Sequence, residues 1–461
     1  MTTTAPPRLR GVRGDRALVV TLVLLTTVTA IVSSLGAPLI VAIARRYDVA
    51  LTDAQWALTA TLLSGAVATP ILGRLGAGRW RRPAVLAGLA VVCVGSLLGA
   101  LPLGFGALVV GRALQGVGLA LVPLAIAIAR DHVAAPALPR TVALLSVTTV
   151  AGAGAGYPLS AFLAEHGGVA GAYAVGGVLT TITLALAALV LPHGDDGAGG
   201  AVDWVGAGLL SGGMVATLLA VSRGETWGWD STRVLSLLAA GVVVLLAWGW
   251  WTLRVDGPLV DLRLAVRPGL AAPNLVAFAA GCGMYTLLAL VVVVVQSAPR
   301  DGFGLGRSTL VAGSMLAPYA VASVVGSRLA QGVGRLAGTR LLLPTGCGLF
   351  LAATLLLADF HDHVLTLTAI MALSGLGSGF TFSSLAVLMV PHVPPAETGS
   401  AMAFNQVLRY LGFSVGSALS VTLMEVYGGG DAGFRGSLLT MSSVWVVALG
   451  GTWVLHRVSR P

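Results

Sequence analysis

Apolar runs long enough to cross a membrane follow one another along the chain, separated by short joints that carry arginine, glycine and proline. A helix needs about 20 consecutive apolar residues to span the hydrocarbon core of a bilayer. The pattern therefore predicts an all-α polytopic membrane protein with fourteen transmembrane helices. The predicted spans cover about 17–44, 55–73, 83–103, 106–129, 141–164, 169–192, 203–221, 233–253, 271–296, 308–330, 340–358, 363–390, 398–424 and 434–455.

Two short segments recur in the same order in the two halves of the chain. ALQGVGLAL at Ala113–Leu121 is similar to ALSGLGSGF at Ala372–Phe380. GRLGAGRWRR at Gly73–Arg82 is similar to SRLAQGVGRL at Ser327–Leu336. Short matches between apolar helices also arise by chance, but the shared order favours two parallel six-helix bundles with two extra helices between them. The predicted units are an N-terminal tail at 1–16, an N-terminal bundle at 17–192, two inserted helices at 203–253 and a C-terminal bundle at 271–455.

Composition places the chain in lipid. The 461 residues are 56% hydrophobic and only 10% charged, with a mean hydropathy of +0.91, which is typical of an integral membrane protein. Every joint is too short for a soluble catalytic domain, and no span carries paired carboxylates, a metal-type histidine cluster or a serine–histidine arrangement. We therefore expect no enzyme activity, no metal and no cofactor, and we expect the three cysteines to be small core residues.

The net charge of +9 comes from arginines in the joints, a pattern that belongs to membrane topology and argues against nucleic-acid binding. About 18 arginines lie on the side of the N-terminus and about 7 on the opposite side. This bias predicts a multi-pass protein of the cell membrane with both termini in the cytoplasm. Arg8, Arg10, Arg13 and Arg16 precede the first apolar run as in a signal peptide, but the run is too long for one, so an uncleaved first span is expected.

The joint GRLGAGRWRR resembles the signature loop of the major facilitator superfamily between its second and third spans. The resemblance implies a gate at the cytoplasmic side, where glycines let helix ends approach and arginines face the headgroups. In the family an acidic residue of this loop latches the gate, whereas this chain has Ala77 at that position. A plain positive-inside charge cluster is the alternative. The gating candidates here are Gly73, Arg74, Gly76, Arg81 and Arg82, together with Asp131 at the end of the fourth span.

The stretch GRALQGVGLALVP resembles the fourth-span signature of the same family, an arginine followed by glutamine and a Gly-x-Gly. A charged side chain inside a span costs roughly 2.5 kcal/mol or more unless water or partners receive it, which favours a functional role. We expect Arg112 to face a central cavity, with Gln115 on the same helical face. The alternative is that Arg112 lies near the end of its span and extends to the headgroups.

AGAGAGYP, Ala151–Pro158, resembles the fifth-span signature of exporters in this superfamily. Glycines at alternate positions let a neighbouring helix pack closely and pivot, and a proline bends the helix. Ordinary small-residue packing is the alternative. The gating candidates of this segment are Gly152, Gly154, Gly156 and Pro158.

Four further segments look like the fourteen-span drug:proton antiporter branch of the family: DWVGAGLL, RGETWGWD, PLVDLRLAVRP and VPPAETGSAMAFNQVLRYLG. In the last of these, Asn405 and Arg409 stand one helical turn apart. A cavity role for this second intramembrane arginine competes with its capture by cytoplasmic headgroups.

Proton-coupled exporters of this branch often carry a carboxylate in the first span, where this chain has Thr29. All 18 acidic residues lie in joints or at span ends. Glu165 and its neighbour His166 are the proton-coupling candidates, because both groups can titrate near neutral pH. A solvated loop pair is the alternative.

These features together predict a secondary active transporter of major facilitator type that exports a lipophilic small molecule by proton antiport and alternating access. Two intramembrane arginines without a mid-span carboxylate favour neutral or anionic substrates. A proton-independent facilitator or a lipid carrier is the alternative, and a membrane sensor or scaffold has no supporting feature. The expected partners are a small-molecule substrate and the bilayer, with the protein as a monomer. The predicted cavity residues are Ser33, Ser34, Thr61, Arg112, Gln115, Tyr285, Met315, Tyr319, Asn405 and Arg409.

Overall fold

The computed structural model describes residues 12–35, 39–49, 51–54, 56–76, 78–192, 203–299 and 303–458. Among these residues, twelve helices are long and apolar enough to cross a membrane. Two further helices of 21 and 29 residues occupy the predicted tenth and thirteenth spans. The structure is therefore an all-helical membrane fold, and its helix count is consistent with fourteen spans.

The N-terminal bundle packs its helices around a shared apolar core. Its first and fourth predicted spans are interrupted, the first between α1 and α2 and the fourth by a 3-10 turn at Val117–Ala120. The helices are α1 (Val12–Ser34), α2 (Ile40–Tyr47), α3 (Leu51–Ala54), α4 (Trp56–Leu75), α5 (Arg81–Ala100), α6 (Phe105–Gly116), α7 (Leu121–His132) and α8 (Leu138–Val190).

One predicted span in this bundle differs from the structure in its extent, and two others follow each other directly. The run 17–44 is not one helix, because α1 ends at Ser34 and a separate α2 begins at Ile40, on either side of a Gly-Ala-Pro sequence that disfavours helix continuation. The fifth and sixth spans are continuous in α8 except at Gly168, whose φ of 64° is in the left-handed region that glycine adopts readily. The chain turns there without a separate loop.

The inserted pair consists of α9 and α10, which are joined to the C-terminal bundle by a connector with one short helix. α9 packs against both α4 and a helix of the C-terminal bundle, so the pair lies across the seam between the bundles. Buried Ala66, Met214, Trp248 and Phe404 belong to one apolar cluster at this seam. The elements are α9 (Trp204–Trp227), α10 (Thr232–Thr252) and α11 (Leu262–Ala265).

The C-terminal bundle repeats the packing of the first. Its core is formed by apolar residues of several helices, among them the stacked rings of Phe350 and Trp445, whose centroids lie 4.5 Å apart. The helices are α12 (Pro268–Gln296), α13 (Thr309–Ser314), α14 (Leu316–Leu336), α15 (Leu342–Asp359), α16 (Val364–Met389), α17 (Thr398–Val426) and α18 (Gly430–Val458).

The two bundles meet through α4 and α7 against α17, and through α8 against α14 and α16. We call the end of the molecule at which α1 begins the proximal face and the opposite end the distal face. Arg74 and Glu397 lie at the proximal face, whereas Ser34 and Trp56 lie towards the distal face.

Candidate functional site

A small cavity of about 30 Å³ lies between the two bundles, in the proximal half of the molecule. α7 and α8 form its wall in the N-terminal bundle, and α16 and α17 form its wall in the C-terminal bundle. A ligand in this space would contact both bundles at once, as alternating access requires. The lining residues are Val122, Pro123, Ile126, Ser146, Thr149, Phe382, Leu385, Ala386, Met402, Asn405, Gln406 and Arg409.

The charge of the cavity wall comes from Arg409. Its guanidinium carbon lies 5.0 Å from the centroid of the Phe382 ring, a geometry in which the aromatic face stabilises the cation. In the part of the chain that the structure describes, the ion pairs do not include Arg409. The cavity therefore presents a positive charge on an aromatic surface.

Asn405 lies one helical turn before Arg409 and is held inside its own bundle. Its amide nitrogen donates to the carbonyl of Pro273 at 3.2 Å and to Oδ1 of Asn274 at 3.0 Å. These bonds fix the α17 side chain against α12, so this wall of the cavity is preorganised.

The opposite wall supplies hydroxyl oxygens. Ser146 Oγ donates to the carbonyl of Val142 at 2.9 Å, and Thr149 Oγ1 donates to the carbonyl of Leu145 at 2.9 Å. Since each hydroxyl has given its hydrogen to its own helix, its lone pairs can accept a hydrogen bond from a ligand. The cavity thus offers a cation and amides on one side and acceptors on the other.

The bundles touch directly at the proximal face. Gly73 of α4 lies against Gly399 and Ala403 of α17, so close that a Cβ at residue 73 would lie 2.7 Å from that of Ala403. Beside this contact, Arg74 Nη1 donates to Glu397 Oε1 at 2.7 Å. The predicted gate residues Gly73 and Arg74 therefore lie at a closed contact between the bundles.

The other predicted gating residues of this joint support the same end of the N-terminal bundle. Arg81 forms an ion pair with Asp131 and donates through Nε to the carbonyl of Gly76 at 2.9 Å. Arg82 donates to the carbonyl of Ala188 at 2.6 Å. Ala77, the position of the family's acidic latch, lies outside the described residues. The ion pair across the bundles uses Glu397, the residue before α17, as its acidic member.

Arg112 lies inside the N-terminal bundle, where it is 1% exposed. Its guanidinium donates to the carbonyls of Val32 and Ser33 at 3.0 and 2.8 Å, and to that of Ala57 at 2.9 Å. The last carbonyls of a helix have no intrahelical donor and carry the negative end of its dipole. Arg112 therefore caps the end of α1, which differs from the expectation that it faces the central cavity or the headgroups.

Four more predicted cavity residues surround this cap. Gln115 Oε1 accepts from Arg112 at 2.6 Å, and its amide donates to Ser96 Oγ at 3.0 Å. Thr61 Oγ1 bonds the carbonyl of Arg112 at 3.0 Å, and Ser33 Oγ bonds that of Thr29 at 2.7 Å. Ser34 follows at the end of α1, where Oγ donates to the carbonyl of Ile31 at 2.8 Å. The structure groups these residues at the distal end of α1, away from the described cavity wall.

The remaining predicted cavity residues are in the C-terminal bundle. Met315 and Tyr319 are buried in its apolar core, and the Tyr319 hydroxyl lies 2.9 Å from Met284 Sδ. Tyr285 is 38% exposed on α12 and lies 6.2 Å from the Phe413 ring. Asn405 and Arg409 are the members of the predicted set that the structure places on the described cavity wall.

The glycines of the AGAGAGYP segment face two different helices. Gly152 and Gly156 lie against α1, at Thr27 and Ile31. Gly154, on the other face of α8, lies against Ala320 of α14, where a Cβ at residue 154 would come within 2.8 Å of the alanine Cβ. Pro158 follows inside α8. The segment thus lets one helix pack closely within its bundle and across the seam.

Glu165 and His166 lie on α8 towards the distal face. His166 is exposed, and its Nδ1 lies 2.9 Å from the carbonyl of Phe162. The side chain of Glu165 lies outside the described part of the chain. Their role in proton coupling stays a prediction.

Sequence reasoning missed most of the cavity wall. Gln406 stands between the two residues that were identified, in the segment FNQVLRYLG. Ser146 and Thr149 are three residues apart in a span, a spacing that indicates one helical face. Phe382 carries no signal that separates it from the many apolar residues of the core.

Comparison with known proteins agrees with this architecture. The model of the Major Facilitator Superfamily matches residues 22–417 and 274–461. The uncharacterized MFS-type transporter YvkA of Bacillus subtilis is 27% identical over 415 residues, which cover 88% of this chain and 90% of YvkA. The cephamycin export protein CmcT of Amycolatopsis lactamdurans is 28% identical over 389 residues, which cover 82% of this chain and 78% of CmcT.

Solved structures share the fold. The crystal structure of the human organic anion transporter MFSD10 superposes with a TM-score of 0.68 at 17% identity and covers 97% of this chain and 100% of that one. The repeated bundles, the cavity between them and the match of the family model over most of the sequence lead to one assignment. The chain belongs to the Major Facilitator Superfamily of membrane transporters.

Proposed function

We propose that the protein exports a lipophilic small molecule, neutral or anionic, by proton antiport and alternating access. The observation that carries the proposal is the cavity between the bundles, whose wall combines Arg409 with the Phe382 ring. A permanent cation in a low-dielectric site attracts an anionic group strongly. The aromatic and aliphatic lining favours an apolar body on the same molecule.

Export is supported by the relatives. CmcT is named as an export protein for cephamycin, and the sequence resembles the drug:proton antiporter branch in the segments quoted above. The structure is closed at the proximal face, which the arginine bias predicts to be cytoplasmic. In the cycle, this face opens to admit substrate, and the distal face opens to release it.

Inside-out membrane vesicles with an acidic lumen test the direction and the coupling. We expect them to accumulate sulforhodamine B, an anionic xanthene dye, and to lose the accumulation when a protonophore collapses the gradient. Exchange of protons through Glu165 predicts that Glu165→Gln abolishes accumulation against a gradient while dye equilibration persists. Vesicles that contain Arg335→Gln, a change of an exposed arginine on α14, serve as the matched control.

Two outcomes would contradict this proposal. Dye uptake that is unchanged by the protonophore would favour a facilitator or lipid carrier with the same fold. A complete lack of dye movement in vesicles with folded protein would contradict the export of anionic substrates.

A further inference from the structure

The fourth predicted span leaves the α-helical path at the level of the cavity. α6 ends at Gly116, a 3-10 turn covers Val117–Ala120, and α7 begins at Leu121. A short 3-10 stretch in the middle of a helix is often a functional hinge. Four residues after Leu119 stands Pro123, which has no N–H. The carbonyl of Leu119 therefore lacks the N–H that the residue four positions later supplies inside an α-helix.

The other bundle supplies a donor to this carbonyl. Gln406 of α17 donates from Nε2 to the carbonyl of Leu119 at 2.7 Å. The same amide nitrogen donates to the hydroxyl of Tyr410 at 2.6 Å. Its two hydrogens are thus divided between a partner in its own bundle and a partner across the seam. Gln406 is 5% exposed, so the cross-bundle bond lies in the interior.

Within a membrane, a carbonyl freed by proline must find another donor, because lipid supplies none. When the bundles separate on the proximal side, Leu119 and Gln406 move apart and both groups need water or another partner. A buried polar group without a partner destabilises the state that contains it. The bond therefore favours the closed arrangement over the open one.

We propose that Gln406 is a positioning residue. Its hydrogen bond to the Leu119 carbonyl joins the two bundles and holds the proximal side closed. The inference rests on the proposed function, because it assumes that the bundles rock about the cavity. Gln406 also lines that cavity beside Arg409. A substrate group that accepts its amide hydrogens competes with the Leu119 carbonyl and breaks this hydrogen bond. Occupancy of the cavity is thereby linked to opening of the proximal side.

Distances between spin labels on the two bundles test the role of the Gln406–Leu119 hydrogen bond without any transport assay. Labels replace the exposed residues Trp80 and Leu341, which lie in proximal joints of the two bundles. Cys93, Cys282 and Cys347 are replaced by alanine. We expect Gln406→Met to raise the ratio of long-distance to short-distance populations about 2- to 10-fold, as loss of one net hydrogen bond predicts. If this variant does not fold, Gln406→Leu removes the same donors.

Two further variants distinguish loss of the Gln406–Leu119 hydrogen bond from a nonspecific weakening of the contact between the bundles. Asn405→Met removes the neighbouring cavity amide, whose bonds stay inside the C-terminal bundle, and we expect it to leave the distances unchanged. Pro123→Ala restores an N–H that can reach the Leu119 carbonyl, so it should reduce the effect of Gln406→Met to less than about 2-fold in a double-mutant cycle.

The inference is overturned if Gln406→Met leaves the distance distribution unchanged, shifts it no more than Asn405→Met, or shifts it equally with and without Pro123. Addition of sulforhodamine B to the labelled parent should raise the long-distance population, and it should add little in Gln406→Met. A dye effect that is equal in both proteins would contradict the coupling to occupancy. The labels report distances without transport. A failure to export the dye would therefore contradict the proposed function and leave the inference about the Gln406–Leu119 hydrogen bond standing.

Discussion

Replacing Arg409 by glutamine lowers the rate of sulforhodamine B export at least about 10-fold, while the protein remains folded. Charge-assisted hydrogen bonds to a buried cation are worth about 1.5–3 kcal/mol each, which corresponds to factors of roughly 10 to 100. Arg409 supplies the positive charge on the described cavity wall, over the ring of Phe382. Initial uptake rates in inside-out vesicles, normalised to the amount of folded protein, measure the effect.

Two control variants define what the loss means. Arg409→Lys keeps the charge and gives up the planar guanidinium, so we expect partial activity. Arg335→Gln removes an exposed arginine of α14 and should retain the parent rate. If Arg409→Gln exports the anionic dye at the parent rate, the charge of this cavity does not select the substrate.

Replacing Arg112 by methionine has the largest effect on stability, and we expect it to lower the free energy of unfolding by at least about 3 kcal/mol. The change removes donors from the carbonyls of Val32, Ser33 and Ala57, and from Gln115 Oε1, at distances of 2.6–3.0 Å. Carbonyls at the end of α1 would then lie in the membrane interior without this donor. Thermal unfolding of the purified protein in detergent measures the loss.

Ser33→Ala is the matched control for this cap. It removes a hydroxyl that bonds within α1, to the carbonyl of Thr29, and leaves the carbonyl of Ser33 available to Arg112. We expect a change in the melting temperature several-fold smaller than that of Arg112→Met. An unchanged melting temperature in Arg112→Met combined with lost export would contradict the capping role and restore the cavity role that the sequence suggested.

The periodicity of apolar runs was enough to predict the helices, because in lipid each span must satisfy its own backbone. The predicted extent of the first span, 17–44, was wrong because hydropathy does not register the Gly-Ala-Pro sequence that stands between α1 and α2. Gly168 shows the converse, since two predicted spans are continuous except at one residue with positive φ. Span counts therefore follow from composition, whereas span ends depend on local backbone chemistry.

The site was harder to predict, because the same sequence feature has two physical solutions. Arg112 and Arg409 are both arginines within apolar runs, and hydropathy does not distinguish them. The structure shows that Arg112 meets helix-end carbonyls of its own bundle, whereas Arg409 lines the space between bundles. The difference depends on where α1 ends and on how the bundles pack against each other. Both are features of the tertiary structure.

The gate shows a similar limit. Ala77 at the family's acidic position put the latch in doubt, and no local signal indicated that Glu397, more than 300 residues away, pairs with Arg74. Pro123 was a readable signal, because proline has no N–H to donate to the carbonyl four residues before it. The sequence alone does not tell which residue satisfies that carbonyl, and in the structure it is Gln406.

The central claim is that a positively charged, aromatic cavity between the bundles binds the exported molecule. Its most direct test compares two dyes of one scaffold and opposite charge, anionic sulforhodamine B and cationic rhodamine 6G, in the same inside-out vesicles. We expect the parent protein to export the anionic dye at least about 10-fold faster than the cationic one, and Arg409→Gln to remove the preference. Faster export of rhodamine 6G by the parent protein would contradict the claim.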